Sequence, residues 1–513
     1  MKIYQIVDTL NFGDAIGNDV VAIKHVIEEM GIETEIYANS IAEKVKEPGA
    51  YKFSNMPKID DDDIVIYHMA SGSAFNKMTA ELNCRKIMIY HNITPFEFFT
   101  IDSIGASEVC RRGLNDMLEM KGKFTAYLAD SHFNKSNMID MGYAADKIDV
   151  IPVIIPFDDY KKTPDADMVK KLSDGVTNIV FVGRIAPNKK HEDLIRTFHY
   201  YKKNVNPNSR LILAGSANKG GMYYNDLLEY IDYLGVEDVI FPGHISFAEI
   251  LAIYSTADVF LCLSEHEGFC VPLLEAMTFD VPIVAFASSA IPETIGGASV
   301  VVDNKDPVYL SKVIDGVINN AQLKKQIIEA QRKRLEDFRY EKIKVQLQNY
   351  IKDFMEKYPP LSPDDDEKGY RDIYNLVEKN MKSSGNSMSF SLDALLHSAR
   401  RKAGEVDVTE LLDYNYKPQS FIEASYISFF NRLPDKSDYE HWMNEASGEE
   451  NNNFLGNFIS FAVNSAERIS KGIKIKFNPF TTAELCDENS EDSGENEEIC
   501  QADDLLGKGG ITA

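Results

Sequence analysis

The chain has 513 residues, 44% hydrophobic and 26% charged, the proportions of an ordinary globular protein with more than one domain. Its formal charge of −26 excludes nucleic acid as the main partner, because that binding needs clustered Lys and Arg to release counterions, and it disfavours broad adhesion to anionic lipid. Six cysteines without C-x-x-C spacing are too few for a disulfide scaffold, so a reducing, cytoplasmic setting is expected.

Met1-Lys2-Ile3-Tyr4-Gln5-Ile6-Val7-Asp8 reads as a first strand, its apolar run broken too early by Asp8 for a signal peptide. No run of about 18 apolar residues offers a transmembrane segment, which leaves peripheral contact at the inner membrane face open. From Met1 to Leu172, short β-rich runs (Ile3 to Val7, Ile64 to His68, Lys86 to His91, Ala126 to Ala129, Ile148 to Ile151) alternate with helix-length stretches such as Val20 to Met30. A second series starts at Asn178 and continues through strands near Leu211, Val239, Val259, Ile283 and Val300. This rhythm predicts an α/β protein with two Rossmann-like domains, residues 1–172 and 173–339, and an interdomain cleft.

In doubly wound sheets ligands settle at the carboxyl ends of strands, where three loops of this chain fall. The first, Asn11 to Asn18, carries Gly13 and Gly17, which either bring backbone amides close to a phosphate or shape a tight turn. The second places Arg184 and Lys189 five apart, a guanidinium fork and a point charge suited to a diphosphate. In the third, Glu267 lies in a strand-to-helix turn and Glu275 about one turn into the helix opened by Pro272. Free amides at that helix start suit a diphosphate, while the carboxylates suit hydroxyls, ribose for Glu275 and sugar for Glu267. Asp60 to Asp63 and Asp364 to Asp366 read as solvated loops, so no metal ligand is expected.

From Phe181 to Asp303 the segment resembles the retaining glycosyltransferase family 4, whose fold is GT-B. The resemblance rests on Gly183-Arg184-Ile185-Ala186-Pro187-Asn188-Lys189, Leu211 to Gly215, Val239 to Gly243, Tyr254 to Phe260, the run from Ser264 to Met277, and Ile291 to Gly296, all in family order. It implies a metal-independent, retaining hexosyltransferase with a UDP- or GDP-sugar donor and no further cofactor. It also implies that Arg184 and Lys189 grip the diphosphate, that Gly268, Phe269 and Val271 line the donor site with both glutamates, and that His91 stands beside the transferred sugar. Gly13 and Gly17 depart from the Gly-Gly pair commoner in that family. The acceptor would be a glycan, a lipid-linked intermediate or a protein. A GT-B nucleotide-sugar epimerase and a non-catalytic sugar-nucleotide scaffold are the alternatives. His68 reads as a structural histidine and His266 as a residue shaping the turn.

By the same resemblance, residues 340–358 form a helix crossing back to the first domain. A linker (359–391) then leads to an all-α accessory module (392–476), a candidate protein-partner surface. Its run from Phe421 to Asp435, with Trp442 and Phe461 to Glu467, resembles a bacterial helical module related to phycobilisome linkers. Its regularly spaced aromatics read as core. Residues 477–513, acidic and poor in apolar side chains, read as a disordered tail.

Overall fold

The computed structural model describes residues 1–360, apart from 12, 44, 46, 58, 61, 83 and 244, and farther along 405–407 and most of 418–476. Two compact units result, residues 1–76 with 84–361 and residues 77–83 with 362–513.

The first unit contains two parallel α/β lobes. In the first lobe, seven strands among the described residues are β1 (Lys2–Leu10), β2 (Glu33–Ile41), β3 (Ala50–Lys52), β4 (Ile64–Met69), β5 (Arg85–Tyr90), β6 (Ala126–Ala129) and β7 (Ile148–Val150). They lie in the order β3-β2-β1-β4-β5-β6-β7. The register aligns Ile3 with Thr34 on one side and Ile64 on the other. β4 and β5 are buried along their whole length, as strands covered on both faces must be, and that explains their near-continuous apolar sequence. The helices between these strands in the chain are α1 (Ala15–Glu29), α2 (Ala74–Glu81, grouped from residue 77 with the second unit), α3 (Ile104–Glu119) and α4 (His132–Asp140). Side-chain oxygens of Asp14, Ser103 and Ser131 cap α1, α3 and α4 by accepting from third-residue amides, which is why those helices start where they do.

The second lobe orders β8 (Thr177–Val182), β9 (Ser209–Ala214), β10 (Val239–Ile240), β11 (Val259–Cys262), β12 (Ile283–Phe286) and β13 (Val300–Val302) as β10-β9-β8-β11-β12-β13. Its helices are α5 (Ala166–Leu172), α6 (His191–Asn204), α7 (Met222–Leu234), α8 (Phe247–Ser255), α9 (Val271–Thr278), α10 (Ile291–Ile295), α11 (Pro307–Asn319) and α12 (Ala321–Leu335). The order in which strands are added reverses between the parallel neighbours β8 and β11, so the loops after these two strands flank the topological switch point. The helix α13 (Tyr340–Lys357) then sets Ile343, Leu347, Ile351 and Phe354, spaced at helical period, into the first lobe's core beside Ile23, Ile27 and Ile64. Tyr340 donates to Glu29 at 3.0 Å and Lys344 pairs with the same carboxylate at 3.0 Å. Among the described residues no helix is long and apolar enough to cross a membrane.

In the second unit α14 (Pro418–Phe430), α15 (Lys436–Ser447) and α16 (Ala466–Ser470) enclose Phe421, Tyr426, Phe429, Trp442 and Phe458. Trp442 donates its ring N–H to the Tyr426 hydroxyl at 3.2 Å, so the polar tips of this core are paired. The region is helical, with one feature the sequence reading missed: β14 (Glu405–Asp407) pairs in parallel with β15 (Lys474–Lys476). Three residues of each strand were too short a signal to stand out. Linker residues from 361 and the acidic tail lie outside the described residues.

Candidate active site

The loop after β8 turns sharply because two backbones meet there. A Cβ on Gly215 would lie 2.0 Å from the Gly183 carbonyl oxygen, so only glycine allows the approach. Arg184 emerges from this turn exposed, with no hydrogen bond or ion pair among the described residues. Burial pushes the Cys110 thiol on α3 up, and the Arg184 charge pulls it back. A 3-10 turn, Pro187–Lys189, follows and sends the Lys189 ammonium inward.

The loop after β11 meets this cationic loop directly. Glu265 N–H donates to the Asn188 carbonyl at 2.9 Å, and the Asn188 side-chain amide donates to the His266 carbonyl at 3.0 Å. Lys189 then reaches Glu267 at 2.5 Å, with Glu267 only 7% exposed. Burial opposes charge on Lys189, yet the Glu267 carboxylate together with the neighbouring Cys270 and Cys262 holds the ammonium above its ordinary range. Ser289 fixes the Glu267 backbone by accepting its N–H at 2.8 Å. The resulting ion pair sits at the switch point of the sheet.

Helix α9 begins at Val271, one residue before Pro272, and Cys270 stands before it at φ 74° without a side-chain cap. The first-turn amides are therefore not used by a capping side chain. Phe269 is buried edge-on against Phe338 at 5.6 Å, and Thr294 donates its hydroxyl to the Phe269 carbonyl. Glu275 accepts from the hydroxyls of Tyr160 at 2.5 Å and Tyr254 at 2.6 Å. Burial raises its carboxyl above the usual range, and the two tyrosines oppose that rise. Neither tyrosine was singled out from sequence as a partner of Glu275, since Tyr160 is 115 residues away and carries no motif of its own.

Gly268 touches the first lobe. Ser131 donates to its carbonyl at 2.7 Å, and a Cβ there would come within 2.5 Å of Asn92 Cβ. In the first lobe, Gly13 is exposed at φ 80° with open space around it. Gly17 lies inside α1, where a Cβ would meet the Asn11 carbonyl oxygen at 2.3 Å. That close approach is reason enough for glycine at 17.

His91 follows β5 with its ring buried. Its Nδ1 lies 2.9 Å from Asp130, and its Nε2 lies 2.9 Å from His68 Nδ1. His68 Nε2 in turn lies 3.0 Å from Gln5 Oε1. Burial disfavours charge on His91, but Asp130 raises its pKa, whereas burial and the neighbouring His91 push His68 well down. A proton arrangement that satisfies these contacts and follows both pKa directions has a charged His91 donating to Asp130 and His68, with a neutral His68 donating to Gln5. Both ring nitrogens of His91 are thus occupied, and a direct bond from its ring to a sugar would require one of them to be released.

Among the described residues, two buried groups bring metal-capable side chains within 4.8 Å of one another, Asp19 with His68 and His91, and Cys262 with Glu267 and Cys270. The imidazoles of the first lie 7° from parallel with centroids 5.2 Å apart, in line through their 2.9 Å contact. That is the geometry of an N–H···N bond; two Zn–N bonds of about 2.0 Å at a tetrahedral angle would hold the nitrogens about 3.3 Å apart. In the second group Glu267 is already paired with Lys189.

Residues 165–334 match the family described as Glycosyl transferases group 1. The chain is 25% identical over 234 residues to the O-antigen chain mannosyltransferase B of Escherichia coli, covering 43% of this chain and 58% of that one. It is 29% identical over 189 residues to a GDP-mannose-dependent phosphatidylinositol monomannoside mannosyltransferase of Mycolicibacterium smegmatis, covering 34% and 48%. The chain thus spans roughly half the length of these relatives. Among solved structures, Anabaena HepE in complex with UDP-glucose superposes with a TM-score of 0.56 at 17% identity, over 69% of this chain and all of that one. Sucrose-phosphate synthase of Thermosynechococcus elongatus gives 0.56 at 16%, over 70% and 100%. The solved structures give the chain a GT-B architecture of two α/β lobes, and residues 165–334, in the second lobe, match glycosyl transferases group 1.

Proposed function

We propose that the protein is a retaining, metal-independent glycosyltransferase that moves a hexose-type sugar from a UDP- or GDP-sugar to a glycan, lipid-linked or protein acceptor. The Lys189–Glu267 pair at the switch point of the second sheet is the observation that carries this reading. Lys189 and Arg184 bring cationic charge, and the uncapped start of α9 brings amide dipoles, to a place where a leaving diphosphate would gather charge. Glu267, buried but tethered at one oxygen, keeps its other oxygen for a sugar hydroxyl. Glu275, oriented by Tyr160 and Tyr254, serves the ribose. A relative that names GDP-mannose and a neighbour that holds UDP-glucose support a nucleotide-sugar donor and leave both bases open.

In the proposed step the bond between the anomeric carbon and the diphosphate oxygen breaks as the acceptor oxygen bonds to the same face of that carbon. The acceptor proton passes to the departing diphosphate oxygen, so no protein base is required. The His91 ring, held between Asp130 and His68 and drawn toward its charged form by Asp130, adds positive field beside the reacting centre.

A thermal-shift panel of nucleotide sugars tests the reading, because a ligand of the folded state raises the melting temperature with its concentration. One UDP- or GDP-sugar should stabilise and be consumed, with turnover unchanged by EDTA. Absence of any stabilising nucleotide sugar would remove the assignment, and loss of turnover restored by magnesium would remove its metal independence.

A further inference from the structure

The two lobes of the first unit are joined next to the reacting centre by side chains that no step above employs. His266, immediately before Glu267, directs its ring out of the second lobe to Asn92, with Nε2 to Oδ1 at 2.6 Å. Its ring sits edge-on to Phe133 at 5.7 Å and tilted to Phe98 at 6.3 Å, both from the first lobe. Asn92 directly follows His91 and is held at φ 74°, a left-handed conformation that asparagine tolerates better than other non-glycine residues. Its amide nitrogen donates to Asn134 at 2.8 Å and Asn137 at 3.3 Å on α4, so its side chain is fixed from both sides. Directly beneath, Gly268 lies so close that a methyl group there would strike the Asn92 Cβ.

Each partner of this contact is the sequence neighbour of a residue proposed for the chemistry, His266 of Glu267 and Asn92 of His91. A hydrogen bond between the neighbours therefore fixes the separation of the two functional groups across the cleft. We infer that His266 and Asn92 are positioning residues, a clasp between the lobes that sets Glu267 against the His91 loop and so aligns donor sugar with acceptor. This rests on the proposed transferase reading. The clasp touches no nucleotide-binding side chain, so its loss should appear in turnover rather than in nucleotide affinity, as misplacement by about 1 Å can cost a hundredfold.

The test compares Asn92→Gly, His266→Ala, their combination and His266→Gln in the full chain. Glycine at 92 relieves the left-handed backbone while removing the bridge, so a folding defect is not expected. With the donor identified by the panel above, each single variant should lower kcat tenfold to a hundredfold while Kd for UDP or GDP by calorimetry moves less than threefold. The combined variant should be no slower than the slower single, and His266→Gln, which keeps an N–H donor at similar reach, should recover most of the rate. Unchanged kcat, multiplicative losses in the combined variant, or equal loss of nucleotide affinity would overturn the clasp. Hydrogen exchange of residues 264–269 reports independently of activity. If the wild-type chain turns over no nucleotide sugar, the transferase reading fails, while faster exchange in Asn92→Gly still supports the clasp and unchanged exchange overturns it.

Discussion

Glu275, a half-buried carboxyl proposed to bind the ribose, is also a structural joint. Tyr160 belongs to the segment entering the second lobe and Tyr254 to α8, so the carboxylate ties both to α9. Glu275→Ala should leave two buried hydroxyls without an acceptor and cost about 1–3 kcal/mol by urea unfolding, besides weakening UDP or GDP binding about tenfold. Unchanged nucleotide affinity with lower stability would reduce Glu275 to the structural role alone. His266 makes a second case, this one in pH. Burial depresses its pKa to about 4, below its ordinary 6.5, so the folded state binds fewer protons than the unfolded chain between these values. Stability from this group is complete above pH 6.5 and is lost as pH falls toward 4. The stability gap between wild type and His266→Gln should therefore shrink by on the order of 2 kcal/mol across that window. A gap independent of pH would show that His266 is not buried in its neutral form.

At the scale of elements, the helix α13 is attached to the first lobe by its apolar stripe, and Leu347 is 2% exposed within it. Leu347→Ala should cost about 2–5 kcal/mol, measured by thermal or urea unfolding. A loss below 1 kcal/mol would mean that the stripe contributes little to the lobe. The buried strands β4, β5, β8 and β11 were legible because burial on both faces demands unbroken apolar runs. β2 and β3 were not: Glu33-Thr34-Glu35 at the start of β2 is polar, and β3 spans three residues at the edge of the sheet. The loops after β8 and β11 were readable as strand-to-helix turns at carboxyl ends. Their mutual bonding through Asn188 was not, because contacts across 78 residues leave no local pattern. For the same reason, the sequence assigned Lys189 and Glu267 to different parts of a ligand, whereas the folded chain pairs them with each other.

For the whole first unit, the architecture places one lobe's cations and carboxylates opposite the His91 loop of the other, with hydrogen bonds from Ser131 to Gly268 and from the α4 amides of His132 and Phe133 to Glu293 crossing between them. In the proposed reaction such contacts would shield the donor from water only while the lobes stay together, so transfer and interlobe contact should vary in parallel. The most direct measurement is the rate of nucleotide release from UDP- and GDP-sugars by the wild-type chain and by Glu267→Gln, with donor Kd measured alongside. Wild type should release UDP or GDP from one donor, and the variant should be about a hundredfold slower with donor affinity nearly unchanged. Equal rates in the two proteins, or no release from any nucleotide sugar, would contradict the claim that the Lys189–Glu267 site holds an activated sugar for transfer.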